Sequence, residues 1–186
     1  MPLASEKDQR FAYSDYLTWP DEERWELIDG KAYDLTPAPS TRHQMVTLNL
    51  VRLISTEVRG TSCRCFVAPT DVVFSEHDVV QPDVFVVCDR AKITEANIQG
   101  APDLVIEVVS PCTGLKDKRE KRHLYEKFGV TEYLLVDPAL KSVERFALGT
   151  DALYARGDVF GPTEMLPLLS VEGITINLQE VFEDEA

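Results

Sequence analysis

Asp103-Leu104-Val105-Ile106-Glu107-Val108-Val109-Ser110-Pro111 is the stretch on which the reading of this chain turns. Aliphatic and β-branched residues dominate it and Ser110-Pro111 closes it, so it reads as a buried β-strand. Glu107 stands inside that strand. A carboxylate there is costly to bury unless it is paired, hydrogen-bonded or bound to a metal. Gln81-Pro82-Asp83 opens a second apolar strand, Val84-Phe85-Val86-Val87, and sets another acid in the same context. Asp83 and Glu107, each on a hydrophobic strand, are the arrangement a divalent metal site needs.

Outward from this pair, further strands are expected near Cys63–Ala68, Asp71–Phe74 and Glu132–Val136. Arg24–Ile28 and Lys31–Leu35 flank Asp29-Gly30, a strong hairpin signal. Ser14 is placed to cap a short helix through Trp19, stopped by Pro20. Pro37-Ala38-Pro39-Ser40 breaks the chain and caps a long helix from about Thr41 to Arg59, ended by Gly60. Its residues Val46, Leu50, Leu53, Ile54 and Val58 cover a broad apolar face. A second helix is expected from about Leu115 to Phe128, followed by shorter strands at Ser142–Leu148, Ala152–Ala155 and Ile174–Leu178. The order fits one domain over residues 1–186 of the α/β (α+β) class, a central mixed sheet flanked by helices, with the first ten residues frayed.

The 186 residues suffice for one domain with a full core and are too few for two ordinary ones. Nineteen basic and 32 acidic side chains give a net charge of −13, which disfavours a protein that coats nucleic acid. It leaves room for an enzyme that touches phosphate locally through a metal. The charge is uneven: Leu115–Gly129 holds six bases against three acids, so this segment is +3 and the remainder −16. For most of those bases a solvated helix face laced with ion pairs is the expectation. The N-terminal stretch has no apolar core of a signal peptide, and no apolar run approaches a membrane span, so a cytoplasmic location is expected. Cys63, Cys65, Cys88 and Cys112 lack metal-ligand spacing and read as small buried thiols.

The Leu115–Phe128 helix carries an anomaly. At 100° per residue Asp117, Lys121, Leu124 and Phe128 share a narrow arc. Leu124 and Phe128 must face the sheet, so Lys121 points inward beside the strand of Glu107. Such a lysine either forms an internal ion pair or serves a metal site, where it orients or deprotonates a water or stabilises phosphate charge. Glu26, in Trp25-Glu26-Leu27-Ile28, offers a third carboxylate or a solvent-facing residue of an edge strand. His43, in the first turn of the long helix, reads as a capping or core histidine, or as a neighbour of the metal. Asp103 and Asp137-Pro138 suit strand ends, and the acidic tail suits solvent. No phosphate-cradling loop and no Gly-x-Ser-x-Gly elbow is present.

Taken in order, Glu26-Leu27-Ile28-Asp29-Gly30, Thr36-Pro37 followed by His43, Pro82-Asp83, Glu107-Val108-Val109-Ser110-Pro111, Asp117-x-x-x-Lys121-x-x-x-Tyr125 and Gly129-Val130-x-Glu132-Tyr133 form a pattern. It resembles the Uma2-like (DUF820) family of the PD-(D/E)XK nuclease superfamily over roughly Trp25 to Leu178. The resemblance implies a restriction-endonuclease-like core, with acids on adjacent strands holding Mg²⁺ or Mn²⁺. It makes Asp83 the motif aspartate, Glu107 the second acid and Glu26 the N-terminal acid. In the E-x-K pattern the lysine falls two residues after the glutamate, where this chain has Val109. The sequence resembles the branch whose lysine lies on the following helix, and Lys121 fits that place. His43 and Tyr125 are expected near the site.

The implied activity is metal-dependent endonucleolytic hydrolysis of DNA, with a homodimer expected from how such nucleases cut two strands. A catalytically degenerate fold kept as a nucleic-acid or protein interaction module is the alternative, and the missing lysine at position 109 and the charge favour it. Hydrolysis of a smaller phosphoester is a third reading, suited to the acidic surface.

Overall fold

The computed structural model describes residues 9–20, 22–36, 38–110 and 114–183. Pro37, Cys112, the N-terminal eight residues and the end of the acidic tail lie outside them. Strand β8, Leu104–Val108, is buried along its whole length, as its aliphatic run requires. It pairs antiparallel with β6 (Val84–Val87) and parallel with β9 (Glu132–Asp137). The parallel pair is joined by a helical crossover made of α3 (Gly114–Lys116), a π-helical turn (Asp117–Lys121) and α4 (Arg122–Lys127). With β3 (Arg64–Val67), β10 (Ser142–Ala147) and β11 (Asp158–Phe160) these strands form a mixed sheet in the order β11-β10-β9-β8-β6-β3.

Alternation along the strands sorts the two faces. Ile106 and Val108 of β8, with Val84, Val86 and Leu134, pack under helix α2 (Thr41–Glu57) and helix α5 (Leu178–Phe182). Phe85, Val105 and Tyr133 turn the other way, toward Leu124 and Tyr125 of α4. Glu107 has the parity of Val105 and therefore faces α4. Beyond that face lies a second sheet, ordered β2-β1-β5-β4-β7, built from β1 (Trp25–Ile28), β2 (Lys31–Asp34), β4 (Val72–Ser75), β5 (Asp78–Val80) and β7 (Ile98–Gln99). A short pair, β12 (Met165–Pro167) with β13 (Thr175–Asn177), covers the α2 side.

The local signals explain the elements nearest the site. Asp29 and Gly30 both take positive φ, 51° and 74°, as the tight turn of the β1–β2 hairpin demands. Ser40 caps α2 by accepting the His43 backbone N–H at 3.2 Å. The short helix α1 is Tyr13–Tyr16, begun at Ala12 rather than Ser14.

Other expectations give way. Ala152–Ala155 is not a strand, since Tyr154 makes only one isolated bridge to Leu148. The strands β5 and β7 and the helix α5 are two to five residues long, too short for periodicity to announce. Cys63 and Cys88, expected as separate thiols, are joined as a disulfide beside the β3–β6 pair. Cys65 is a free thiol, and burial pushes it up to about 11. Among the described residues no helix is long and apolar enough to cross a membrane.

The core argument predicts that Ile106→Ala, at a fully buried position of β8, costs about 2–5 kcal/mol. Leu140→Ala, at an exposed turn, should stay within about 0.5 kcal/mol. Urea denaturation of both variants checks the contrast.

Candidate active site

The acids singled out in the sequence meet at the C-terminal end of β8. Asp83 directly precedes β6, where the β6–β8 pairing sets it beside that end. Its Oδ2 accepts the Val108 backbone N–H at 2.8 Å and faces His43 Nε2 at 3.2 Å. Burial pulls the His43 imidazole down, but its bond to the Asp83 carboxylate outweighs this and raises it above the ordinary value. His43 thus orients Asp83, while its Nδ1 lies 3.4 Å from Thr47 Oγ1.

Glu107 is buried and is held through Oε1. Lys121 Nζ donates to that oxygen at 2.7 Å and the Tyr125 hydroxyl at 2.6 Å. Burial, reinforced by the carboxylates of Asp83, Asp117 and Glu26, pushes Glu107 up to about 8 against the opposing pull of Lys121. For Lys121 the balance runs the other way. Burial alone would lower it, but Glu107, Glu26 and Asp117 raise it well above its ordinary range, so it stays an ammonium.

Glu26 settles the choice left open by the sequence. Strand β1 lies between β2 and β5, and Glu26 is fully buried. Its Oε1 pairs with Lys121 at 2.7 Å and accepts the Gln81 backbone N–H at 3.0 Å, and its Oε2 pairs with Lys116 at 2.7 Å. Burial would raise Glu26, yet the two lysines outweigh it and hold the carboxyl below its usual range.

Two residues of this cluster were not selected from the sequence as site candidates. Asp117 is buried and lines the cleft. It shares the helical arc of Lys121, and that is the signal that points to it. Lys116 left no such signal. On an α-helical wheel it lies about 140° from Lys121. The π turn brings residues five apart onto one side, so both lysines reach Glu26.

The cluster floors a cleft of about 440 Å³ whose walls include Tyr33, Ser40 and Pro39. Four acids (Glu26, Asp83, Glu107, Asp117) stand against two ammonium groups, and the crowding shows at Glu107, whose carboxyl is pushed toward holding a proton at neutral pH. Among the described residues no three His, Cys, Asp or Glu side chains are grouped as a ready-made metal cage. Asp83 and Glu107, two hard oxygen donors side by side at one end of β8, fit a cation such as Mg²⁺, which keeps several waters and takes only one or two protein carboxylates.

Comparison with known proteins agrees with this architecture. Residues 13–179 match the model of the Uma2 family, described as "Putative restriction endonuclease". The uncharacterized protein sll1609 of Synechocystis sp. is 30% identical over 144 residues, covering 75% of this chain and 80% of that protein. A second Synechocystis protein, the uncharacterized slr1290, is 26% identical over 141 residues, covering 74% of each. A solved structure from Anabaena variabilis, described as a "putative nuclease belonging to DUF820", superposes with a TM-score of 0.76 at 22% identity, over 92% of this chain and 97% of that one. The last shows a shared mixed α+β, nuclease-like fold, and the match across residues 13–179 shows that the chain belongs to the Uma2 family.

Proposed function

We propose that the protein is a divalent-metal-dependent endonuclease that hydrolyses phosphodiester bonds in DNA. One observation carries the reading: Asp83, Glu107 and Lys121, from three separate elements, converge on the floor of one open cleft. Asp83 and Glu107 would hold Mg²⁺ or Mn²⁺ through oxygen. When bound there, the ion would polarise the scissile phosphate and lower the pKa of a water.

The remaining work falls to the chain's own side chains. Lys121 is a permanent ammonium and so is not a base. It orients the attacking water and meets the charge that develops on the phosphate. His43 and the Val108 N–H fix Asp83, and Tyr125 fixes Glu107. Glu26 has both oxygens on lysines and acts by positioning them. The membership of the Uma2 family supports the same reading.

In Mn²⁺, Asp83→Ala should abolish nicking of supercoiled plasmid, and Lys121→Met should lower the nicking rate about hundredfold. A wild-type protein that nicks in neither Mn²⁺ nor Mg²⁺, or an Asp83→Ala variant as fast as wild type, would overturn the reading.

The role given to Glu26 carries a sign of its own. A carboxyl held below its ordinary value stabilises the fold above pH 4.5 and loses that contribution as pH falls through the lower, folded value. Glu26→Gln should therefore be about 3 kcal/mol less stable at neutral pH, with a shallower fall of Tm below pH 4.5. Equal Tm–pH slopes for the two proteins would contradict the pairing.

A further inference from the structure

Glu26 divides its carboxylate between two lysines that differ in what else they meet. Lys121 turns inward to Glu107, with 4% of its side chain exposed. Lys116 keeps 14% exposed, lines the cleft, and sits 5.5 Å above the centre of the Tyr33 ring. Tyr33 lies directly opposite Glu26 in the β1–β2 register, so the hairpin turns the acid and the ring to the same side. Glu26 from below and Tyr33 from the side fix the Lys116 ammonium at the cleft wall.

Resting on the nuclease reading above, we propose that Lys116 binds the phosphate neighbouring the scissile one. The substrate is then a polynucleotide strand with consecutive phosphates, not a small ester with one.

Charge supports this assignment. A strand crossing the floor brings a second negative charge into a protein whose net charge is −13, so that charge must be met locally. Most of the other bases near the helix are turned elsewhere. Lys118 and Arg119 are exposed and do not line the cleft, Arg122 covers the Phe146 ring, and Lys127 pairs with Asp78. Arg24 lines the cleft, but its guanidinium donates twice to Gln81 Oε1, at 3.0 and 2.8 Å. An ammonium carries three donors and the Glu26 bond uses one. Lys116 shares one continuous cleft with Asp83 and Glu107, so a strand reaches all three without leaving it.

The test uses the full chain in Mn²⁺ with two substrates, a short single-stranded oligodeoxynucleotide and bis(p-nitrophenyl) phosphate, which has a single phosphate. Lys116→Gln should raise KM for the oligonucleotide about tenfold with a far smaller effect on kcat, and should harm the single-phosphate ester much less. The dependence of log KM on log salt should flatten by about 0.7, one phosphate's worth, and Lys116→Arg should restore most of the loss. Equal losses on both substrates, as from a purely structural role through Glu26, would overturn the inference, as would an unchanged KM and salt slope. Wild type cleaving only the ester would overturn it together with DNA as the substrate, leaving a phosphodiesterase of small esters. Wild type cleaving neither would overturn the nuclease reading along with it.

Discussion

Lys121 bridges Glu107 and Glu26, and much of the site follows from that one buried ammonium. Each carboxylate is buried, and neither belongs there uncompensated. The bridge ties β8 of one sheet to β1 of the other through a single side chain on the crossover helix. Removing one member of such a set leaves the others exposed to the full desolvation penalty, so the three residues stand or fall together. The arrangement is weak support for stability as such, because an apolar replacement of the same shape could pack as well.

The same bridge limits the chemistry. A lysine ringed by three carboxylates stays protonated, which removes it as a base and keeps it as a donor and a charge. One lysine does not keep Glu107 ionised, because burial and its acidic neighbours hold its carboxyl well above the usual range and so favour the protonated form. A divalent cation bound beside Glu107 would displace that proton and favour the carboxylate its neighbours otherwise disfavour. His43 and the Val108 N–H meet Asp83 at one oxygen, and Lys121 and Tyr125 meet Glu107 at one oxygen. Both carboxylates are thereby oriented before any ligand arrives, the kind of support a metal-holding pair requires.

Much of this was legible in the sequence because a charged residue in an apolar strand is conspicuous. Glu107 and Asp83 stood out in that way, and the Asp29-Gly30 turn and the Ser40 cap fixed the hairpin and helix that carry Glu26 and His43. Lys121 was reachable because its helical arc also holds Leu124. The environment of Glu26 was not, since alternation tells which face a residue takes but not that β5 would flank its strand. Lys116 was hidden by the assumption of 100° per residue, which the π turn breaks. The Cys63–Cys88 pairing depends on the register of β3 against β6, which spacing along the chain does not contain.

Calorimetric titration of Mn²⁺ into the wild-type protein and into Asp83→Ala tests the central claim most directly. The account predicts a binding event in wild type that disappears in the variant while its circular dichroism stays native. No binding by wild type, or equal binding by both, would contradict it.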